Sequence, residues 1–277
     1  MGMIVGGIGV SHAPSLARAY DRQLGDQPDW HDIFVSFDPA AAWLADLEPD
    51  ALVVVYNDHV NQFFFDAYPT FALGVADEFP QADEGWGKRD LPDLSGDSAL
   101  GWHLARSLVA QEFDPTICQE LAVDHGIYSV LPFLAEPPWA TPIVPLAVNV
   151  IRHPLPTPRR CHRLGAALRY AVESYDRDTR VVVIATGGMS HQLHGSDFGA
   201  LNPQWDNEFL DLLELDPDAL CDLDHLDYMK RGGSESVEVI MWLVMRGAMG
   251  GAVDRIHRAY HAPALTGYGL ICFEPVD

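Results

Sequence analysis

Three short apolar segments, each followed closely by a histidine, limit the possible folds of this chain more than any other feature. The segments are residues 3–10, 51–56 and 180–186, and the histidines are His12, His59 and His191. Continuous apolar strands of this kind are typical of parallel sheets that are buried on both faces. In such sheets the carboxyl ends of the strands meet at one edge and form a ligand crevice there. We therefore expect an α/β protein whose histidines converge at one edge of the sheet.

The rest of the chain continues the alternation of strands and helices. Further strands are predicted at residues 142–150 and 267–274, and helices at residues 37–47, 98–112 and 161–175. Residues 63–97 are rich in aromatic, proline, glycine and acidic residues and lack periodicity, which indicates a long structured loop over a site. No linker-like stretch interrupts the 277 residues, so we expect a single domain over residues 1–277.

The charge balance limits the class of partner. The chain has 17 Lys and Arg residues against 40 Asp and Glu residues, a net charge of -23 at pH 7. A surface this acidic repels nucleic acid and anionic membranes, and neither is expected as a partner. No segment reaches the ~18 apolar residues of a membrane span, no basic region opens the apolar N-terminus, and the four cysteines are widely spaced. These features together predict a cytoplasmic protein without a disulfide framework.

One carboxylate lies in an unusually apolar stretch. Residues 237–245 predict a buried helix in which seven apolar residues follow Glu238. A buried, ionised carboxylate is costly unless a cation, a metal or several donors meet it. Glu238 is therefore either the partner of Arg246 in a buried salt bridge or a metal ligand. Glu235 is the competing carboxylate, but it lies in the first turn, where a capping acid is expected, so we prefer Glu238 as the ligand.

His125 also follows an apolar segment, so four histidines and Glu238 form a candidate site. Two imidazoles and one carboxylate on one face of a metal are typical of non-haem iron(II) oxygenases, because they leave positions open for substrate and oxygen. The remaining histidines would then serve as acid, base or hydrogen-bond donor. A zinc-dependent hydrolase with the same residues is one alternative, and a binding protein that has kept the fold without activity is another.

Six short motifs together resemble one enzyme family. They are Ser11-His12-Ala13-Pro14, Tyr56-Asn57-Asp58-His59, Asp83-Glu84-Gly85-Trp86-Gly87, Val123-Asp124-His125-Gly126, Gly187-Gly188-Met189-Ser190-His191-Gln192, and Gly233-Ser234-Glu235-Ser236-Val237-Glu238 with Met241-Trp242-Leu243. In this order, over nearly the whole chain, they are similar to the class III, LigB-type extradiol ring-cleavage dioxygenases, the family of the catalytic β subunit of protocatechuate 4,5-dioxygenase. The resemblance implies one catalytic domain, built as a three-layer α/β/α sandwich around a mostly parallel central sheet.

The resemblance also implies roles for individual residues. His12, His59 and Glu238 match the ligands of iron(II), His191 matches the catalytic acid/base, and His125 and Asn57 match residues on the substrate side. Enzymes of this family open a catechol ring with O2 next to the two hydroxyls, giving a 2-hydroxymuconate semialdehyde. Many members need a small helical α subunit that closes the active site. Because this chain ends soon after its last predicted strand, we expect a separate α subunit or a second copy of the chain as partner.

The substrate is less closely defined by the motifs. A ring carboxylate, as in protocatechuate, would seek positive charge in so acidic a protein, and Lys88 and Arg89 in the long loop are candidate contacts, with a solvated loop tip as the alternative. Thr266 is a further candidate, since residues 264–266 are similar in position to a stretch that lines the distal end of the ring in the family. There Leu265 and Thr266 replace the expected Ser-Asn pair. Gallate, a methylated gallate or another substituted catechol are therefore alternatives to protocatechuate.

Overall fold

The computed structural model describes residues 1–263 and 265–276. Within them, the strands are β1 (Gly2–Val10), β2 (Ala51–Tyr56), β3 (Phe71–Gly74), β4 (Glu78–Phe79), β5 (Leu94–Ser95), β6 (Thr116–Cys118), β7 (Ile143–Val148), β8 (Thr179–Thr186), β9 (Val253–His261) and β10 (Tyr268–Pro275). The α-helices are α1 (Pro14–Asp21), α2 (Pro28–Asp46), α3 (Ser98–Ala110), α4 (His125–Tyr128), α5 (Leu131–Leu134), α6 (Pro158–Glu173), α7 (Pro203–Leu215), α8 (Pro217–Cys221), α9 (His225–Gly232) and α10 (Trp242–Met249). Leu24–Asp26 and Ser234–Met241 are 3₁₀ helices. None of the helices in these ranges has the length and apolar character needed to cross a membrane.

Eight strands form one sheet in the order β6-β3-β7-β2-β8-β1-β10-β9. The centre of the sheet is parallel, because β2 pairs in parallel with β7 and β8, and β8 pairs in parallel with β1. The β3–β6 pair is also parallel, whereas β3–β7, β1–β10 and β9–β10 are antiparallel. The predicted mostly parallel sheet is therefore confirmed, with antiparallel pairs toward its edges. The carboxyl ends of β1, β2 and β8 lie side by side.

Each face of the sheet is covered by helices over its own apolar core. Alternate side chains of β2 point to opposite faces, so Val53 and Val55 enter one core and Leu52 and Val54 the other. Helices α3, α6, α7 and α10 contribute to the first core, and α1, α2 and α5 to the second. This arrangement confirms the predicted α/β/α fold class, since both faces of the central sheet must be covered by apolar helix surfaces.

Glycines in β1 bring α10 unusually close to the sheet. A Cβ atom on Gly9 would lie 2.4 Å from Cε3 of Trp242, and one on Gly7 would lie 2.7 Å from the sulfur of Met245. Neither position has room for a side chain, so glycine permits the contact. Because the 3₁₀ helix before α10 carries Glu238, this packing places that carboxylate close to the end of β1.

Several predicted elements differ from the structure. The helix predicted for residues 37–47 begins at Pro28, and Pro39 lies inside it on the exposed side, where water can bond the carbonyl oxygen that proline leaves without a donor. The loop predicted for residues 63–97 contains the short strands β3, β4 and β5, of which β3 belongs to the main sheet. Strand β9 at the sheet edge was not predicted, because its polar sequence lacks the apolar pattern of a buried strand.

Candidate active site

His12 follows β1 at the parallel centre of the sheet. Its ring is buried, and Nδ1 is 2.9 Å from Oγ1 of Thr186, the last residue of the neighbouring strand β8. The other ring nitrogen, Nε2, is buried and has no hydrogen-bond partner among the described residues. A buried polar atom without a partner is costly. Nε2 of His12 is therefore a buried polar atom without a hydrogen bond, although a carboxylate lies close to it.

That carboxylate belongs to Glu238. Its Oε2 atom is 3.4 Å from His12 Nε2 and accepts a hydrogen bond of 2.7 Å from the backbone N–H of Gly188. The alternative pairing of Glu238 with Arg246 does not form, because the Arg246 guanidinium donates to the backbone carbonyls of residues 213, 250 and 251. The predicted α-helix is a 3₁₀ helix around Glu238. One reason is that the Ser236 hydroxyl lies 2.8 Å from the carbonyl oxygen of Gly233 and 3.0 Å from that of Tyr228, so its one proton competes with regular helical hydrogen bonds.

His59, which follows β2, lies beside the other carboxylate oxygen of Glu238, and its ring centroid is 5.0 Å from that of His12. Its Nε2 atom is 3.8 Å from Glu238 Oε1, and its Nδ1 atom is 3.0 Å from Oδ2 of the buried Asp124. The same carboxylate oxygen accepts a hydrogen bond of 2.7 Å from the His59 backbone N–H. An ionised carboxylate can only accept hydrogen bonds, so Asp124 keeps a proton on Nδ1. Nε2 is then the ring nitrogen that lies toward Glu238, where it also contacts the amide nitrogen of Asn57 at 3.0 Å.

The charges of this group favour a cation beside Glu238. Burial by itself would raise the pKa of Glu238, but the rings of His12 and His59 hold that pKa well below its usual range. Burial lowers the pKa of His12 and outweighs the attraction of Glu238. For His59 burial acts in the same direction, but Asp124 and Glu238 overcome it and raise the pKa to about 10. The space between the two rings and the carboxylate therefore favours one positive charge, which a metal ion would also supply.

His191 lies in the turn after β8. Its Nδ1 atom is 2.7 Å from the carbonyl oxygen of Met189, and its backbone N–H donates to the carbonyl of Gly232 at 2.8 Å. A neutral ring that donates from Nδ1 to a carbonyl carries its free lone pair on Nε2. A Cβ on Gly188 would lie 2.8 Å from Cε1 of His191 and 3.3 Å from Oε2 of Glu238, so this glycine lets the ring and the carboxylate share one site.

His125, at the start of α4, completes the group of four histidines. Its ring stacks on His59 with 3.9 Å between ring centroids and lies 5.5 Å from the ring of His12. One ring nitrogen from each of His12, His59 and His125 lies within 4.8 Å of the other two. The Nδ1 atom of His125 is 2.5 Å from a carboxylate oxygen of Glu84, which lies in the long loop.

A cavity of about 460 Å³ opens onto this group. The predicted site residues that line it are His12, His59, His125, His191, Glu238 and Thr266. Apolar walls are provided by Val150, Ile151 and Val237. Glu235 also borders the cavity, but its carboxylate accepts a hydrogen bond from the Leu193 backbone and contacts the His194 ring, so it supports a neighbouring loop.

Three predicted site residues do not line this cavity. Asn57 is buried, with its Nδ2 atom 3.0 Å from Nε2 of His59, the ring nitrogen on the side of Glu238. Lys88 is exposed on the loop. Arg89 pairs with Asp21 at 2.7 Å and borders a second cavity, which His125 also lines, and neither basic residue reaches the cavity that the four histidines share. Of the stretch 264–266, residue 264 lies outside the described residues, Leu265 is exposed, and Thr266 faces the cavity.

Three residues that the sequence interpretation assigned no role hold the rings in place. Thr186 contacts His12, Asp124 contacts His59, and Glu84 contacts His125. Asp124 and Glu84 lie in motifs that carried the family resemblance. Their presence in those motifs was the sequence feature from which a role could have been predicted. The unpartnered Nε2 of His12, Nε2 of His59 and the carboxylate of Glu238 form a donor set that fits a divalent transition metal.

Comparison with known families agrees with this geometry. Residues 6–271 match the family described as the catalytic LigB subunit of aromatic ring-opening dioxygenase. The chain belongs to this family. The resemblance indicated by the six sequence motifs is thereby confirmed, as is the assignment to a family of dioxygenases. LigB extradiol dioxygenases are metal-dependent, in agreement with the cluster of His12, His59 and His125 and with the Glu238 carboxylate beside it.

Similar proteins support the same family. Over 198 residues, covering 71% of the chain, the sequence is 46% identical to a gallate dioxygenase of Pseudomonas putida, and the match spans 58% of that relative's length. A 2,3-dihydroxyphenylpropionate/2,3-dihydroxicinnamic acid 1,2-dioxygenase of a Rhodococcus species is 27% identical, with 97% of this chain and 98% of the relative covered. The crystal structure of an uncharacterised Escherichia coli K12 protein has the same fold, with a TM-score of 0.58, 17% identity and coverage of 96% of this chain and 99% of the other.

Proposed function

We propose that the protein is a cytoplasmic, iron(II)-dependent extradiol dioxygenase that opens the ring of a carboxylated catechol with O2, and that residues 1–277 form one catalytic domain. The observation that carries the proposal is the buried, unpartnered Nε2 of His12, which lies 3.4 Å from one carboxylate oxygen of Glu238, while Nε2 of His59 lies 3.8 Å from the other. The four buried free cysteines support a reducing compartment.

His12, His59 and Glu238 would hold the metal in this proposal. A metal ion held there would supply Lewis-acid chemistry that lowers the pKa of the catechol hydroxyls, and iron(II) would also supply the redox chemistry that a reaction with O2 needs. His191 would accept a proton from a substrate hydroxyl at Nε2, because Nδ1 is occupied by a backbone carbonyl, and would return the proton later. His125 would contact the substrate from the other side of the cavity.

Gallate is the first candidate substrate, and protocatechuate and methylgallate follow. The name of the Pseudomonas putida relative supports gallate. Thr266 borders the cavity and is the proposed contact for a ring substituent, and Asn57 is proposed to act through its contact with Nε2 of His59. We do not extend the proposal to Lys88 and Arg89, because Arg89 is held by Asp21 and neither residue lines the cavity.

Oxygen uptake by anaerobically purified protein tests the proposal. The protein is loaded with iron(II) and given gallate, protocatechuate or methylgallate, and we expect consumption of one O2 per ring with at least one of them. Protein loaded with zinc is the matched control and should consume none, since zinc has no redox chemistry. If no catechol causes uptake in the iron-loaded protein, the proposed function is wrong.

We also propose that a partner covers the mouth of the cavity, either a small helical α subunit or a second copy of the chain. Leu193, Phe198 and Leu265 are exposed apolar side chains on loops beside the cavity, and a Cβ on Gly199 would contact Leu265 at 3.1 Å. Clustered exposed apolar side chains are typical of interaction sites. Oxygen uptake by the chain alone, and with any co-encoded small subunit, tests whether a partner is needed.

A further inference from the structure

Glu84 uses both carboxylate oxygens on a single residue, His125. Oε1 accepts a hydrogen bond of 2.9 Å from the His125 backbone N–H, and Oε2 is 2.5 Å from the ring Nδ1. The Glu84 side chain is 12% exposed and that of His125 is 8% exposed, so the contact is largely shielded from water. Because an ionised carboxylate only accepts hydrogen bonds, it keeps the proton on Nδ1. The free lone pair of the neutral ring is then on Nε2, the nitrogen left for the cavity that His125 lines.

The loop that carries Glu84 has supports of its own. The backbone N–H of Ala82 donates to the carbonyl of Val123 at 2.8 Å, which joins the loop to the segment before His125. The Asp83 carboxylate accepts hydrogen bonds of 2.9 Å from the backbone N–H groups of Gly85 and Gly87. These contacts shape the loop without touching the His125 ring. The contact of Glu84 with the ring is therefore a separate feature, and Asp83 offers a matched control within the same loop.

The two histidines that face the proposed substrate are held in a similar way. His191 has its Nδ1 atom 2.7 Å from a backbone carbonyl, and His125 has its Nδ1 atom on Glu84. In both rings Nδ1 is occupied, so both neutral rings carry the free lone pair on Nε2. The His125 ring also stacks on His59 at 3.9 Å, which limits its tilt. The contact of Nδ1 with Glu84 restrains the rotation of the His125 ring within its own plane.

We infer that Glu84 is a positioning residue for the proposed ring-cleavage reaction, and that it acts by fixing the orientation and tautomer of His125. With Nδ1 bound to Glu84, Nε2 of His125 accepts a hydrogen bond from a substrate hydroxyl in the cavity. The inference rests on the proposed function for its catalytic consequence. The contact itself is independent of any activity.

Steady-state kinetics of Glu84→Gln, Glu84→Asp and Asp83→Asn test the catalytic consequence. An amide in place of the carboxylate sets an NH2 group against one of the two His125 donors, so we expect Glu84→Gln to lower kcat about 10- to 100-fold, as supporting residues of active-site histidines do. Glu84→Asp keeps an acceptor and should recover part of that loss. Asp83→Asn perturbs the same loop and should stay near wild type. Equal losses in Asp83→Asn and Glu84→Gln would overturn the inference.

A double-mutant cycle tests the route through His125. If Glu84 acts only by positioning that ring, Glu84→Gln should cause no further loss of kcat in a His125→Ala background. Losses that add would overturn the inference. The iron content of the Glu84 variants should match that of wild type, since the Glu84 side chain contacts His125 and none of His12, His59 and Glu238.

Nitrogen-15 NMR of the histidine rings in the full chain separates this inference from the proposed function. The His125 signals are assigned by their absence in His125→Ala. Their chemical shifts should show a proton on Nδ1 in wild type and should differ from the wild-type values in Glu84→Gln. This result with no turnover of any catechol would reject the proposed function and keep the positioning contact. His125 signals that are identical in wild type and Glu84→Gln would overturn the inference whatever the activity.

Discussion

Replacement of Asp124 by Asn is the sharpest test of how the fold presents His59. The carboxylate is fully buried and uses both oxygens. Oδ2 accepts from the His59 backbone at 2.7 Å, lies 3.0 Å from His59 Nδ1 and accepts from the Asn61 amide at 3.0 Å, while Oδ1 accepts from the Gly126 backbone at 2.9 Å. Every one of these partners can donate. An asparagine side chain has one oxygen and one NH2 group, so one set of donors must face an NH2 group.

Both orientations of the new amide are unfavourable. If the NH2 group faces Gly126, a buried backbone N–H loses its acceptor, at a cost of about 1–3 kcal/mol in folding free energy. If the NH2 group faces His59, the ring can accept from it only by moving its own proton to Nε2, the atom that a metal needs. Loss of a residue that orients a ligating histidine typically weakens metal binding about 10- to 100-fold, or about 1.4–2.7 kcal/mol. We expect Asp124→Asn to weaken iron(II) binding by this amount.

Competition with a chromophoric chelator under anaerobic conditions measures the iron(II) affinity, and chemical denaturation of the metal-free protein measures stability. Asp206→Asn is the matched control, because Asp206 is equally buried and accepts from the Ser190 backbone and hydroxyl and from Tyr260, but from no imidazole. It should lower stability without changing iron affinity. If Asp124→Asn binds iron(II) as tightly as wild type, the argument from the tautomer of His59 is refuted.

Other changes test the remaining groups. His191→Gln should lower turnover about 10²- to 10⁴-fold, the usual share of a general acid or base, while anaerobic substrate binding, followed by difference spectroscopy, stays near wild type; unchanged turnover would refute the acid/base role. Glu238→Ala should abolish iron retention in metal analysis after gel filtration, whereas Glu235→Ala should retain iron, and the opposite result would make Glu235 the ligand. Burial lowers the pKa of His162 from 6.5, so as pH falls below about 6.5 the unfolded chain takes up a proton before the native protein does, and the folded state loses stability. His162→Gln should make the free energy of unfolding fall less steeply below that pH. If denaturation curves give wild type and His162→Gln the same pH dependence, the expected loss of stability from His162 is wrong.

The central sheet and the meeting of the histidines could be predicted from local pattern. A strand buried on both faces must be apolar at every position, as in Ala51–Tyr56, so its sequence differs from that of a helix or an edge strand. Because parallel strands align their carboxyl ends, the predicted strands also place the residues after them. Strand β9 lacked this signal because it is at the edge of the sheet, with much of its surface exposed and polar.

The contacts of Lys88 and Arg89 could not be predicted in the same way. A basic pair in a loop over a site suggested a partner for an anionic substrate. In the structure Arg89 instead donates to both carboxylate oxygens of Asp21 and to the backbone carbonyls of Ala17 and Tyr128. Which carboxylate an arginine meets depends on how a loop folds back on a distant helix, and neither local composition nor net charge carries that information.

The same reasoning explains why the carboxylates behind the histidines had no predicted role. His59 and its partner Asp124 are 65 positions apart, and His125 and its partner Glu84 are 41 positions apart. Asp124 and His125 are nevertheless neighbours in sequence, and the His125 ring stacks on His59. The Asp124-His125 dipeptide is thus contacted by Glu84 of the long loop and in turn contacts His59, which follows β2. A shift of this dipeptide would therefore move the rings of both His59 and His125. The order of the site depends on these two remote carboxylates as well as on the strand ends that bring the histidines together.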